Sequence, residues 1–237
     1  MASASFERFA NSLGQKFEPE VRYHLARVYG CLAATTIAAT FGAIAHISGI
    51  LEAGILVALA SLGLVLGLHF VHDNGKNFYV RLAMLLGFGF CSGQTLGPLL
   101  QFIIFINPQI IVSALTGTCI VFVSLTASAL FAERGKFLFL GGILISVINT
   151  MMLFSLLNLF VRSYYVQQGQ LYVGLGLMAA FILYDTQSII EKCRMGNKDC
   201  VQHSLDLFFD LISIFRKLLI ILTQKEERER QSKRKNN

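Results

Sequence analysis

The sequence predicts an all-α fold: a polytopic membrane helix bundle of six spans plus a seventh helix that is either central or re-entrant. Three observations carry this. Apolar residues make up 54% of the 237-residue chain and charged residues only 14%, against roughly 45–50% and 25% in ordinary globular proteins. The charge is also unevenly placed. Residues 28–184 hold eight formal charges, and the remainder lie in residues 1–27 and 185–237. A water-soluble surface cannot be built over such a stretch, because one continuous apolar patch would face water, whereas a bilayer solvates it. Finally, the apolar runs have helix-spanning length and lack the period-2 alternation of barrel strands.

Each span follows from the requirement for about 20 mostly apolar residues. Charge-free runs cover 28–51, 53–72, 82–132, 137–161 and 163–184. The third is long enough for two helices, and Asn107-Pro108 divides it, since proline cannot continue the preceding helix. Spans are therefore expected near 28–50, 53–72, 82–106, 109–132, 137–161 and 168–190. A seventh segment, 204–223, is apolar but contains Asp206 and Asp210. Residues 1–27 carry seven charges and no apolar core, so no signal peptide is read there and the first span serves as its own signal. The chain divides into a cytoplasmic N-terminal segment (1–27), the bundle (28–223) and a basic tail (224–237).

Lys and Arg set the orientation. With the N-terminus inside, residues 1–27 place Arg8, Lys16, Arg22 and Arg27 on the cytoplasmic side. The inner loops add Lys76 and Arg81, Arg134 and Lys136, and Lys192, Arg194 and Lys198. Eight more lie from Arg216 onward, and only Arg162 falls on the opposite side. The count favours a cytoplasmic C-terminus, which requires segment 204–223 to re-enter rather than span. The net charge of +6 is thus a topology marker around apolar runs, not a nucleic-acid footprint.

Glycines recur at four-residue spacing as Gly89, Gly93 and Gly97 in the third span and as Gly63 and Gly67 in the second. Four residues return to one helix face, where absent side chains let another helix approach, so packing is the expected role. Gly141-Gly142 is read the same way or as a bend. No strand precedes these glycines and no Lys follows them, which excludes a phosphate loop.

Three intramembrane acids stand out. Asp185 lies in Leu183-Tyr-Asp-Thr-Gln187 of the sixth span, and Asp206 and Asp210 lie in the seventh segment. Ionisable groups at such depth are costly and mark ion or proton paths by default, a polar interhelical contact being the alternative. Asp206, Asp210, Ser213 and Lys217 fall at i, i+4, i+7 and i+11, one polar stripe on an otherwise apolar helix. Asp185 precedes the connecting loop by six residues and Asp210 follows it by seven. At 1.5 Å per residue, both sit about 9–11 Å from the same face, so an antiparallel pair of helices brings them level. Two carboxylates in a low-dielectric site share one proton. Singly protonated, the pair latches two helices by a strong hydrogen bond. Doubly ionised, it repels and offers oxygens to Ca²⁺ transiently, with no stable metal site expected.

The runs Gly87-Phe-Gly-Phe-Cys-Ser-Gly-Gln-Thr-Leu-Gly-Pro98, Phe139-Leu-Gly-Gly-Ile143, Leu183-Tyr-Asp-Thr-Gln187 and Leu205-Asp-Leu-Phe-Phe-Asp-Leu-Ile-Ser-Ile-Phe-Arg-Lys217 resemble the Bax inhibitor-one family, also known by its transmembrane Bax inhibitor motif and related to the lifeguard proteins. The resemblance covers essentially the whole chain. In its short N-terminus and basic tail the chain is similar to the endoplasmic-reticulum member. This implies a non-enzymatic, multi-pass endoplasmic-reticulum membrane protein without a cofactor. It would suppress apoptosis, dampen endoplasmic-reticulum stress and the unfolded protein response, and maintain calcium homeostasis as a pH-sensitive Ca²⁺ leak channel. Its implied partners are the lipid bilayer, Ca²⁺ and protons, with Bcl-2-family proteins and stress sensors. A membrane adaptor that binds such regulators without transport is the alternative. The family's proton-sensing aspartate pair corresponds to Asp185 and Asp210, with Asp206 a further acid one turn earlier. Some bacterial members add a basic latch near the end of the second helix, and His69, His72, Lys76 and Arg81 all lie near that position here. Lys233 and Lys235 resemble a K-x-K-x-x retrieval signal, which works only on a cytoplasmic tail; a solvated or lipid-binding basic tail is the other reading.

The remaining polar residues read plainly. Cys31, Cys91 and Cys119 lie in spans as small apolar side chains. Cys193 and Cys200 are cytoplasmic on this topology and are not expected to form a structural disulfide. His203-Ser204 is no hydrolase dyad, because adjacent side chains do not point together. Glu52 is read as an interfacial carboxylate.

Overall fold

The computed structural model describes residues 17–236, which form seven α-helices. They are α1 (Pro19–Ile47), α2 (Ile55–Phe70), α3 (Phe78–Ile106), α4 (Gln109–Phe131), α5 (Leu140–Val161), α6 (Tyr164–Arg194) and α7 (Cys200–Asn236). Arg8 and Lys16 lie outside the described residues. Five of the helices (α1, α3, α4, α5 and α6) are long and apolar enough to cross a membrane; α2, with 16 residues, is shorter. Each expected span coincides with one helix, and the largest extensions are at α1 and α6, which begin earlier than the hydropathy alone suggests. Pro19 explains the first: proline is tolerated in the opening turn, where its missing N–H has no intrahelical partner. Pro108 likewise abuts the start of α4, and the Asn107 side chain accepts the Gln109 N–H at 3.1 Å.

The helix α7 is the axis of the bundle, packing against α1, α3, α4 and α6. Leu207, Phe208, Ile214 and Leu219 on it are fully buried. Its first part joins a large apolar cluster with Val21, Val28, Leu85, Ile182 and Ile189. Further along, Leu219 joins a second cluster with Leu96, Leu100, Ile103 and Ile110. The outer face of α5 is the opposite case. Leu153, Leu157, Leu159 and Phe160 there are exposed, the arrangement expected where lipid rather than protein supplies the apolar environment.

Of the two arrangements expected for the seventh segment, the central helix is the one the bundle has. Residues 204–223 belong to an unbroken 37-residue helix, about 55 Å long at 1.5 Å per residue. Such a rod cannot return to its starting face. Arg230 Nη2 donates to the Ile106 carbonyl at 2.8 Å, beside the α3–α4 turn. Arg228 Nη2 donates to the Tyr164 hydroxyl at 2.8 Å, at the start of α6. The tail therefore ends opposite the loops that carry Lys76, Arg134 and Lys198, rather than beside them. The helix itself continues to Asn236. Lys233 is exposed on that end; the Lys235 side chain lies outside the described residues.

Small residues govern the tightest helix contact, between α1 and α3. A Cβ at Gly93 would strike the Ala39 carbonyl, one at Gly97 the His46 ring, and one at Gly89 would sit 2.7 Å from the Thr35 carbonyl oxygen. From the other side, a Cβ at Gly42 would strike the Phe90 carbonyl. The spacing in α2 has no such consequence: a Cβ at Gly63 would meet nothing, and one at Gly67 only Met84 at 3.6 Å.

Candidate functional site

The site is built on the α6–α7 hairpin. The connecting turn spans residues 195–199, with Gly196 at φ +93°, a conformation a side chain disfavours. The Asn197 N–H returns to the Lys192 carbonyl at 2.9 Å and the Gly196 N–H to the Cys193 carbonyl at 3.0 Å, which satisfies the last carbonyls of α6. Asp199 then caps α7, its Oδ1 accepting the Gln202 N–H at 3.0 Å. The same oxygen pairs with Arg81 Nη1 of α3 at 2.7 Å. Arg81 is 2% exposed, so a buried charge fixes where α7 begins.

This hairpin brings Asp185 and Asp210 together, their carboxyl groups within side-chain hydrogen-bonding reach. Asp210 is buried at 4% exposure, and its Oδ2 has no hydrogen-bond partner among the described residues. Asp185 is half-buried. Asp206, also half-buried, lies one turn nearer the loop and accepts a hydrogen bond from Gln202 Nε2 at 3.3 Å. A buried carboxylate oxygen without a donor costs free energy unless a proton or cation meets it. A single proton shared between Asp185 and Asp210 supplies that donor. Among the described residues no three His, Cys, Asp or Glu side chains converge as a metal cage. None of the basic residues near the α2–α3 loop touches the aspartate pair. His69, His72 and Lys76 are exposed, and Arg81 is engaged by Asp199.

Several partners of the hairpin were not legible in the sequence. Gln187, two residues after Asp185, pins the α4–α5 loop. Its Oε1 accepts the Phe137 N–H at 2.7 Å, and its Nε2 donates to the Glu133 carbonyl at 3.0 Å. Tyr184, the residue before Asp185, lies over Gly141, where a Cβ would come 2.8 Å from its ring. The motif around Asp185 is thus clamped on either side of the acid, to α5 by Tyr184 and to the α4–α5 loop by Gln187. His24 Nε2 and His203 Nδ1 meet at 2.9 Å, both rings buried, joining α1 to α7. The next residue, Ser204, donates its hydroxyl to the Val28 carbonyl at 2.8 Å, and Cys31 and Cys200 are buried on the same two helices. Polar residues far apart in sequence carry no periodic signal, which is why these pairs stayed hidden.

Ion pairs ring the same end of the bundle. Arg134 of the α4–α5 loop grips Glu191 through Nε and Nη2, at 2.9 and 2.7 Å, and that carboxylate holds the guanidinium above its ordinary range. Lys198 pairs with Glu20, which raises its ammonium in the same way.

The family described as inhibitor of apoptosis-promoting Bax1 matches residues 21–227. Bax inhibitor 1 of Drosophila melanogaster is 61% identical over 231 residues, 98% of this chain and 94% of that protein. Bax inhibitor 1 of Homo sapiens is 42% identical over 91% of this chain and 92% of its own length. Bax inhibitor 1 of Arabidopsis thaliana is 34% identical over 88% and 83%. The aspartate hairpin therefore sits in a chain matched nearly end to end, and that chain belongs to the Bax inhibitor family of multi-pass membrane proteins.

Proposed function

We propose that the chain suppresses apoptosis and endoplasmic-reticulum stress from the endoplasmic-reticulum membrane, acting as a pH-sensitive Ca²⁺ leak channel gated by Asp185 and Asp210. The observation that carries this reading is the facing carboxyl pair between α6 and α7 with an unsatisfied buried oxygen on Asp210. Sharing a proton, the pair ties α6 to the central helix. On losing it, two anions confront one another in a low-dielectric setting, the helices part, and the oxygens become ligands for a passing cation. Flux therefore rises as pH rises through the titration of the pair. The apoptosis-suppressing role rests on the names that the relatives carry.

Purified protein in liposomes, with no partner present, tests the transport step. Wild type should leak Ca²⁺ with a marked pH dependence, and Asp210→Asn or Asp185→Asn should flatten the profile. Unchanged flux and pH dependence in both variants would refute the latch. Absence of flux in wild type, with cell protection retained, would favour the adaptor reading, in which regulators are bound and nothing is transported.

The loops bearing Lys76, Arg134 and Lys198 are assigned to the cytoplasm by the positive-inside rule. A cytoplasmic receptor reads Lys233 and Lys235 only on a cytoplasmic tail. With α7 uninterrupted, the endoplasmic-reticulum assignment rests on family likeness rather than on that signal.

A further inference from the structure

Away from the aspartate hairpin, α5, α6 and α7 border two adjoining open cavities that the proposed gating does not use. One, of about 630 Å³, is an apolar groove between α5 and α6, lined by Ile143, Val147, Phe154, Gly169 and Val173. The other, of about 410 Å³, is mixed: Gln167, Gln168, Gln224, Ser155 and Lys217 line it together with Met152, Leu171 and Ile220. Met151 and Gln170 belong to both, and Gln170 Nε2 donates to the Met151 carbonyl at 3.2 Å, so they form the partition. Each volume lies within the roughly 300–1,000 Å³ range of small-molecule pockets.

Lys217 is the anomaly. It lies seven residues beyond Asp210, about 10 Å further along α7, and is half-buried. Among the described residues no carboxylate lies within ion-pair distance of it. Gly174 of α6 makes its position possible: a Cβ there would come 2.7 Å from Lys217 Nζ and 3.1 Å from Met151 Cε. The ammonium is thereby held on the glutamine-lined cavity, beside the Met151 side chain that borders both. Nearby, Gln168 Oε1 and Gln224 Oε1 are buried without hydrogen-bond partners. An unpaired cation at membrane depth is costly and marks a ligand path, and orphaned amide groups around it call for a polar guest. Rotating a glutamine amide turns its N–H₂ to the same point, so the ring of glutamines serves either an acid oxygen or its proton.

From this geometry we propose that the α5–α6–α7 cavities form a binding site for an anionic single-chain amphiphile, its acid head on Lys217 and its acyl chain in the α5–α6 groove. The charge sign is set by the unmatched lysine, the head chemistry by the glutamines, and the tail by the adjoining apolar groove. Met151, unbranched and flexible, is suited to yield as the chain passes. A fatty-acid carboxylate and a monoacyl phosphate share this chemistry.

The test uses the full chain in nanodiscs of phosphatidylcholine, with a diazirine-bearing palmitate as probe. Saturable photolabelling should map to peptides of α5 and α6. Lys217→Met and Gly169→Leu should each reduce it at least tenfold, while Lys217→Arg retains it. Gly169→Leu is the safer variant, because a Cβ there meets nothing within 4 Å and the side chain simply fills the groove. Competition by palmitate, by lysophosphatidic acid and by monopalmitoylglycerol separates the head groups: either acid should displace the probe, whereas the neutral lipid should not. Labelling that is unsaturable, that survives Lys217→Met or Gly169→Leu in protein with a wild-type melting profile, or that the neutral lipid displaces equally well, would overturn the proposal. Should Lys217→Met not fold, Gly169→Leu and the competition series decide the matter.

Discussion

At the scale of single residues, the chain uses buried polar groups as positioning devices. Arg81 is the clearest. Its guanidinium is withdrawn from water and meets one partner, Asp199, which also caps α7. Removing one member of a buried pair leaves the other desolvated and uncompensated, although Asp199 retains some solvent contact. Arg81→Met should therefore destabilise the protein by about 1–3 kcal/mol, read as a lowered midpoint of thermal unfolding in detergent. Arg81→Lys should recover only part of that loss, since a lysine point charge cannot reproduce the planar guanidinium fork. An unchanged midpoint in Arg81→Met would show that the pair does not anchor α7. The sequence placed Arg81 among four basic residues near a latch position without choosing between them; burial made the distinction, and directed it to Asp199 rather than to the aspartate pair.

At the scale of helices, glycine spacing has two different meanings in the same chain. The stripe on α3 faces the backbone of α1, and the stripe on α2 faces open space at Gly63. Gly93→Ala should force the helices apart and cost about 1–3 kcal/mol, the usual penalty of overpacking. Gly63→Ala should be neutral or stabilising by up to about 1 kcal/mol, because alanine is the better helix former and nothing obstructs its methyl. Comparing the two melting midpoints checks the assignment, and equal effects would contradict it. The level placement of Asp185 and Asp210 is also an element-scale result. It follows from helical rise and loop length, quantities the sequence supplies, and the α6–α7 hairpin has that geometry. The clamping of Asp185 by Gln187 and Gly141 does not follow from rise, because the α4–α5 loop and α5 approach from elsewhere in the chain.

At the scale of the whole molecule, the direction of α7 governs the topology. A straight 37-residue helix beginning beside Arg81 and ending beside the α3–α4 turn puts the two ends of the chain's basic charge at opposite faces. An N-glycosylation acceptor appended after Asn237 should therefore be modified in microsomes. One inserted in the α4–α5 loop between Arg134 and Lys136 should remain unmodified. A tail that stays unglycosylated and is digested by protease outside intact microsomes would mean that the tail is cytoplasmic and that α7 does not cross.

The number of helices, their approximate ends and the membrane setting were all legible in the sequence. Each depends on local quantities: run length, charge placement, and proline or glycine at boundaries. The two aspartates were legible for the same reason, as charges where an apolar helix should have none. Tertiary packing alone decided that α7 is the central axis of the bundle, because only its neighbours fix where so long a helix lies. It also decided which glycines touch, and that Arg81 meets Asp199, His24 meets His203, and Lys217 stands over Gly174 without a counter-charge. Such pairings join residues remote in sequence, and no periodicity along the chain encodes where two remote helices cross.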